Sequence, residues 1–143
     1  MRLVIIESPY AGNIWQRWLN RRYARVCVRD SLIRGESPIA SHLLYTQPGI
    51  LRDHDPAERQ WGIDAGLAWR SVADATAVYI DRGISKGMWY GIQAARESGR
   101  PIEWRSLHAE IEEWRTRYPA TAELADLVAL ENQALRTQRP HPS

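Results

Sequence analysis

Short apolar runs alternate with helical stripes along the first hundred residues of the chain. Leu3-Val4-Ile5-Ile6 is uninterrupted by polar residues, the pattern of a strand covered on both faces. Ser8 to Gly12 breaks it, and Asn13 is placed to cap the helix that follows. From Ile14 to about Arg34, Ile14, Trp18, Leu19, Tyr23, Val26, Cys27 and Ile33 form a stripe, with arginines elsewhere and Gly35 as the stop. A short second strand is expected over Ser37–His42. The connection from Thr46 to Pro56 is long for a compact domain, a length that usually serves a site. A helix opens on Pro56 and is expected to reach Val72. Ala77–Ile80 is the third strand. Ser85 caps a helix carrying Met88, Ile92 and Ala95, and Ile102–Arg105 is a polar fourth strand suited to a sheet edge. Two further helical segments, His108 to about Arg117 and Ala120 to about Arg136, precede a tail.

This alternation predicts an α/β fold: a Rossmann-like sheet of four or five parallel strands in flavodoxin-like order, flanked by helices, with extra C-terminal helices. The expected organisation is an α/β domain over 1–107, a helical extension over 108–137 and a tail over 138–143. The simplest strand order, 2-1-3-4, puts a ligand crevice between the loops after strands one and three, beyond the carboxyl ends of the strands.

Composition narrows the classes. No apolar run in the 143 residues approaches the roughly 20 that a membrane helix needs, and the apolar start is broken too early for a secretory signal. The single cysteine, Cys27, cannot form an internal disulfide, which fits a reducing cytoplasm. A net charge of +2 is too weak to argue for nucleic acid. Seven tryptophans and no phenylalanine imply that tryptophan fills aromatic places in the core or at an interface. Asp53-His54-Asp55 has ligand-like spacing but no second histidine cluster, so it reads as solvated loop charge, and no metal or cofactor is expected.

The candidate chemistry collects at the strand ends. Glu7 places a carboxylate beside a buried strand, where it is costly unless paired or in a cleft. Asp81 precedes the turn Gly83-Ile84-Ser85, whose helix start offers free N–H groups to an anion, or it braces that loop. Ser41 and His42 end the second strand. Tyr10 and Tyr45 are placed to stack on a base or to serve as ordinary rim aromatics, and Ser8 and Ser85 suit either capping or phosphate contact. Trp61, Trp69 and Trp89 lie at core-like or interface-like spacing and read as packing residues.

Three strings, Ile5-Ile6-Glu7-Ser8-Pro9-Tyr10, Pro38-Ile39-Ala40-Ser41-His42 and Gly83-Ile84-Ser85-Lys86-Gly87-Met88, resemble the nucleoside 2-deoxyribosyltransferase superfamily. The stretches Arg29–Leu32 through Tyr45–Gly49 resemble a branch of it common in phage and actinobacterial genomes. The resemblance runs from Leu3 to Leu107. It implies a crevice for a nucleoside, nucleotide or related ribosyl compound, contacted by Ser8, Pro9, Tyr10, Ser41, His42, Tyr45, Gly83, Ser85, Gly87 and Met88. It also implies a homo-oligomer, and N-glycosidic cleavage or transfer through a carboxylate nucleophile on the helix after strand three. Gly91 stands at that nucleophile's position, so the chemistry falls to Glu7 or Asp81. Without it, the alternative is a non-catalytic nucleotide-binding or sequestering accessory protein, of phage origin if the resemblance to that branch holds; a third reading is a structural oligomer with a vestigial crevice.

Overall fold

The structure is a computed structural model that describes residues 1–107; the expected C-terminal helices lie outside the described residues. It contains β1 (Leu3–Glu7), α1 (Ile14–Ile33), β2 (Ser37–Ile39), α2 (Ser41–Leu44), α3 (Pro56–Ala68) with a 3-10 turn at Trp69–Ser71, β3 (Ala75–Tyr79), α4 (Lys86–Glu97) and β4 (Ile102–Arg105). All four strands are parallel, in the order β2-β1-β3-β4. This is the expected α/β architecture, with β4 on one edge.

Local signals set most boundaries. Asn13 Oδ1 accepts from Gln16 N at 2.9 Å while Gln16 Oε1 accepts from Asn13 N at 2.9 Å, a reciprocal cap that starts α1. Asp55 caps α3 and Ser85 caps α4. Two boundaries move. β2 ends at Ile39, opposite Ile5, because at Ala40 the chain leaves the sheet and its carbonyl is taken up by the first turn of a helix. Ser41 and His42 therefore sit on the short helix α2, closed by Leu43 N and Leu44 N donating to Ala40 O. The α-helical part of α3 stops at Ala68, and β3 begins two residues earlier than its apolar run.

Alternation along the strands makes two layers. Val4, Ile6, Ala77 and Tyr79 pack with Tyr23, Val26, Cys27 and Leu107 under α1, whereas Val78 packs with Met88 and Ile92 of α4 on the other face. The aromatic residues of this core are tyrosines. All six described tryptophans are at least 39% exposed, Trp61, Trp69 and Trp89 among them, so the places they fill are not in this core. A buried tyrosine hydroxyl needs a partner, and each has one: Tyr79 donates to Asp30 at 2.6 Å and Tyr23 to Asp81 at 2.5 Å. Beside Tyr79, Arg105 grips Glu36 through two bonds of 2.8 and 2.7 Å, and Ser31 donates to the same carboxylate at 2.6 Å. This network joins α1, the lead into β2, β3 and β4. No helix among the described residues is long and apolar enough to cross a membrane.

The crossover helix α3 has no buried residue and packs on α2 and the 3-10 turn. It approaches α2 and the connection after it through glycines: a Cβ at Gly66 would lie 2.8 Å from Ser41 Oγ, and one at Gly62 would lie 3.0 Å from Leu51 Cδ1. Because α3 leans on α2, a cleft opens between α3 and α4 above β1.

Candidate functional site

The cleft encloses about 870 Å3, within the range of small-molecule sites. Its floor is Ile5, Ile6, Glu7 and Ser8 at the end of β1. One wall is α3, which presents Arg59, Gly62, Ile63, Gly66 and Leu67 at helical spacing, continued by Arg70 on the 3-10 turn. The other is α4, with Ser85 to Met88 at its start and Tyr90, Gln93, Ala94 and Glu97 below. Ser41, His42 and Tyr45 from α2 and its C-cap close the side, and Tyr10 and Asp53 stand at the rim. The turn after β1 and the start of α4 thus share one hollow.

Glu7 is the residue around which the site is built. Its side chain leaves β1 on the α4 side and lies on the backbone of Gly91: a Cβ there would fall 1.9 Å from Glu7 Oε1 and 2.3 Å from its Cδ. Position 91 is glycine because the carboxylate of Glu7 occupies the space that a side chain on α4 would take. The carboxylate is half-buried and makes no hydrogen bond or ion pair among the described residues. Burial pushes its pKa up to about 7, against the opposing field of Arg70. Gly91→Ala is accordingly expected to swing Glu7 off its berth, leaving the secondary structure unchanged by circular dichroism while altering ligand affinity and the Glu7 titration seen by NMR.

Next to Glu7, Ser8 Oγ and His42 Nε2 share a hydrogen bond of 2.7 Å. Burial pushes the imidazolium down to about 4, so His42 is neutral near pH 7 and one of its ring nitrogens is an acceptor. Tyr45 OH accepts from Trp69 Nε1 at 3.0 Å, and Tyr10 OH donates to Asp53 at 3.4 Å, which holds both rings against the cleft. The site therefore combines an ionisable carboxylate without a partner, a neutral polar pair and two aromatic faces, with cations on both helical walls.

Most of the expected contact residues come together here: Glu7, Ser8, Tyr10, Ser41, His42, Tyr45, Ser85, Gly87 and Met88 all line the cleft. Pro9, Gly83 and Asp81 do not. Asp81 faces the α1 side, where its carboxylate accepts from Tyr23 OH, from Ser106 Oγ at 2.7 Å and from Leu107 N at 3.1 Å, bracing the turn after β3 to α1 and to the chain beyond β4. The Asp53-His54-Asp55 triplet is likewise engaged, with Asp55 capping α3 and Asp53 3.8 Å from Arg59. Sequence reasoning missed the walls, Arg70, Gln93 and Glu97 above all. The repeat of Arg59, Gly62, Gly66 and Arg70 along one helical face was their available signal.

The model of a domain of unknown function, DUF7768, matches residues 2–105. No curated protein matches the chain. A solved structure of a 2-deoxyribosyltransferase from the psychrotolerant bacterium Bacillus psychrosaccharolyticus is similar at a TM-score of 0.51 and 17% identity, over 73% of this chain and 72% of that one. At that identity the likeness shows a shared fold: the chain has a distant deoxyribosyltransferase-like α/β architecture.

Proposed function

We propose a function from the site itself for this chain, which belongs to the DUF7768 family of domains of unknown function: it binds a nucleoside-type ligand in the α3–α4 cleft and acts on its N-glycosidic bond through Glu7. The observation that carries the reading is the Glu7 carboxylate, unpartnered among the described residues and bedded on Gly91 at the cleft floor. The fold shared with a 2-deoxyribosyltransferase supports it.

In this reading the ionised Glu7 attacks the anomeric carbon as the C–N bond breaks, and the bonding pair leaves with the base, which takes up a proton. The glycosyl ester on Glu7 then yields to water, giving hydrolysis, or to a second base, giving transfer. A carboxylate suits this step because its charge stabilises the oxocarbenium-like transition state. Tyr10 and Tyr45 offer faces for the base, and neutral His42 with Ser8 offers hydrogen bonds to hydroxyl groups without adding charge beside the developing cation.

The test is incubation with ribo- and 2-deoxyribonucleosides and their monophosphates, with free base read by chromatography. Release of base, together with a glycosyl adduct on Glu7 in the intact mass after acid quench, is the expected result. Ligand-dependent thermal stabilisation without release assigns a non-catalytic binder, the reading that Gly91 favours through the missing side chain on α4. No release and no stabilisation by any of them overturns both.

A further inference from the structure

The cleft does not end at Glu7. Below it, toward the edge where the strands begin, the floor continues as Ile5 and the walls as Leu67 and Arg70 on one side and Gln93, Ala94 and Glu97 on the other. The far end of this lower compartment is electrostatically incomplete. Arg70 lines it, half-buried, and its guanidinium makes no hydrogen bond or ion pair among the described residues. Directly behind it stands Arg100, only 8% exposed, whose guanidinium is held by backbone carbonyls: Nη2 donates to Arg70 O and Nε to Ala73 O at 3.3 Å. Neither arginine forms an ion pair with a carboxylate among the described residues. Glu97, across the compartment on the last turn of α4, is exposed and forms no ion pair with Arg70.

Arg70 and Arg100 are like charges, and burial together with the charge of Arg70 lowers the pKa of Arg100; the carboxylate that feels Arg70 is Glu7, at the other end of the compartment and not in contact with it. The arrangement is tolerated because Arg100 does structural work through the two carbonyls, which fixes the main chain of Arg70 and leaves its planar fork directed by the cleft alone. A guanidinium in that state suits a phosphate or carboxylate, which it can grip with two parallel bonds.

We infer that the lower compartment is an anion subsite: Arg70, backed by Arg100, receives a phosphate or carboxylate carried by the ligand whose glycosidic bond lies at Glu7. This rests on the nucleoside reading above and adds to it a charged ligand class and the end of the cleft where the charge sits, opposite the helix start at Ser85 and Lys86.

Calorimetric titration with four probes tests it: adenosine, adenosine 5′-monophosphate, uridine, and orotidine, which is uridine with a carboxylate on its base. At least one charged probe is expected to bind ten-fold or more tightly than its neutral parent. That gain should vanish in Arg70→Met, persist in part in Arg70→Lys and persist in full in Lys86→Met. A gain for the monophosphate alone assigns a phosphate on the sugar; a gain for orotidine alone assigns a carboxylate on the base. Because the side chain of Arg70 has no partner among the described residues, Arg70→Met should fold, with a melting temperature near that of the parent. Equal affinities for charged and neutral probes, or a gain that survives in Arg70→Met, overturn the subsite and leave the nucleoside reading standing. Failure of all four to bind overturns both.

Discussion

Replacing Glu7 with glutamine is expected to abolish base release and, at pH 8, to make the protein more stable. Without an ionised nucleophile the loss should be on the order of a thousand-fold or more, since what remains comes from binding and orientation alone. In the unsubstituted protein the same group predicts base release that rises with pH through a midpoint at about 7, where Glu7 is half-ionised, and then levels off. The stability effect runs the other way. The folded protein holds the Glu7 proton up to about pH 7, whereas the unfolded chain releases it near the ordinary value of 4.5, so stability falls as pH rises between the two and is lowest above them. Glutamine resembles the protonated form, and the gain at pH 8 is about 2 kcal/mol, roughly 10 °C in melting temperature for a domain of this size. At pH 4 the two proteins should melt together. Equal melting temperatures at pH 8 would remove the claim that the cleft holds this carboxylate at a cost to the fold.

The second large effect belongs to the opposite face of the sheet. Arg105→Met is expected to destabilise the fold by about 3 kcal/mol, because it leaves the buried Glu36 carboxylate without the two bonds that compensate its desolvation. Both side chains are under 10% exposed. Ser31 and Arg2, at 2.6 and 3.2 Å, are the partners that remain to Glu36, and Arg2 is largely solvated. Chemical denaturation measures the loss, and adding Glu36→Met to the same protein should recover part of it, since an apolar pair of similar size has no charge to desolvate. A single substitution costing under about 1 kcal/mol would mean that water reaches Glu36. Burial works against the Glu36 carboxylate, but hydrogen bonds from Arg105 and Ser31 outweigh it and hold its pKa below the usual range. Its contribution is therefore present above the unfolded value and lost as pH falls through the lowered folded value. Glu7 and Glu36 thus give the pH–stability curve opposite slopes in different windows, and Glu7→Gln should remove the slope between about 4.5 and 7 alone.

How far the site was legible can be followed along β1. A run of four apolar residues ending in a carboxylate and a Ser-Pro turn marks both the central strand and the place where chemistry sits at its end. Gly91 by itself reads as a loss, a missing nucleophile. Only the packing of α4 on β1 shows it as a berth, because the distance from Glu7 to Gly91 across two elements is not encoded in any local spacing. Asp81 and Glu7 are equivalent in the sequence, each a carboxylate at a strand end. The fold separates them through strand alternation and register: Glu7 pairs with Val78 and projects toward α4, whereas Asp81 lies past the end of β3, beside Tyr23 and Leu107. The tryptophans leave core and interface open for a related reason. Composition says that large aromatics must be placed, but α1 and α3 turn theirs outward, and the core takes tyrosines whose hydroxyls meet Asp30 and Asp81.

By itself the sequence determined the order of elements, the parallel sheet and the two turns that meet at its carboxyl edge, because hydrophobic period, caps and crossover handedness act over short range. The tertiary structure alone decided which carboxylate enters the cleft, how far the cleft runs and that Arg70 and Arg100 meet at its end. Those facts depend on how closely α3 approaches α2 and α4 approaches β1, distances set by glycines at 62, 66 and 91 whose neighbours lie far away in the chain.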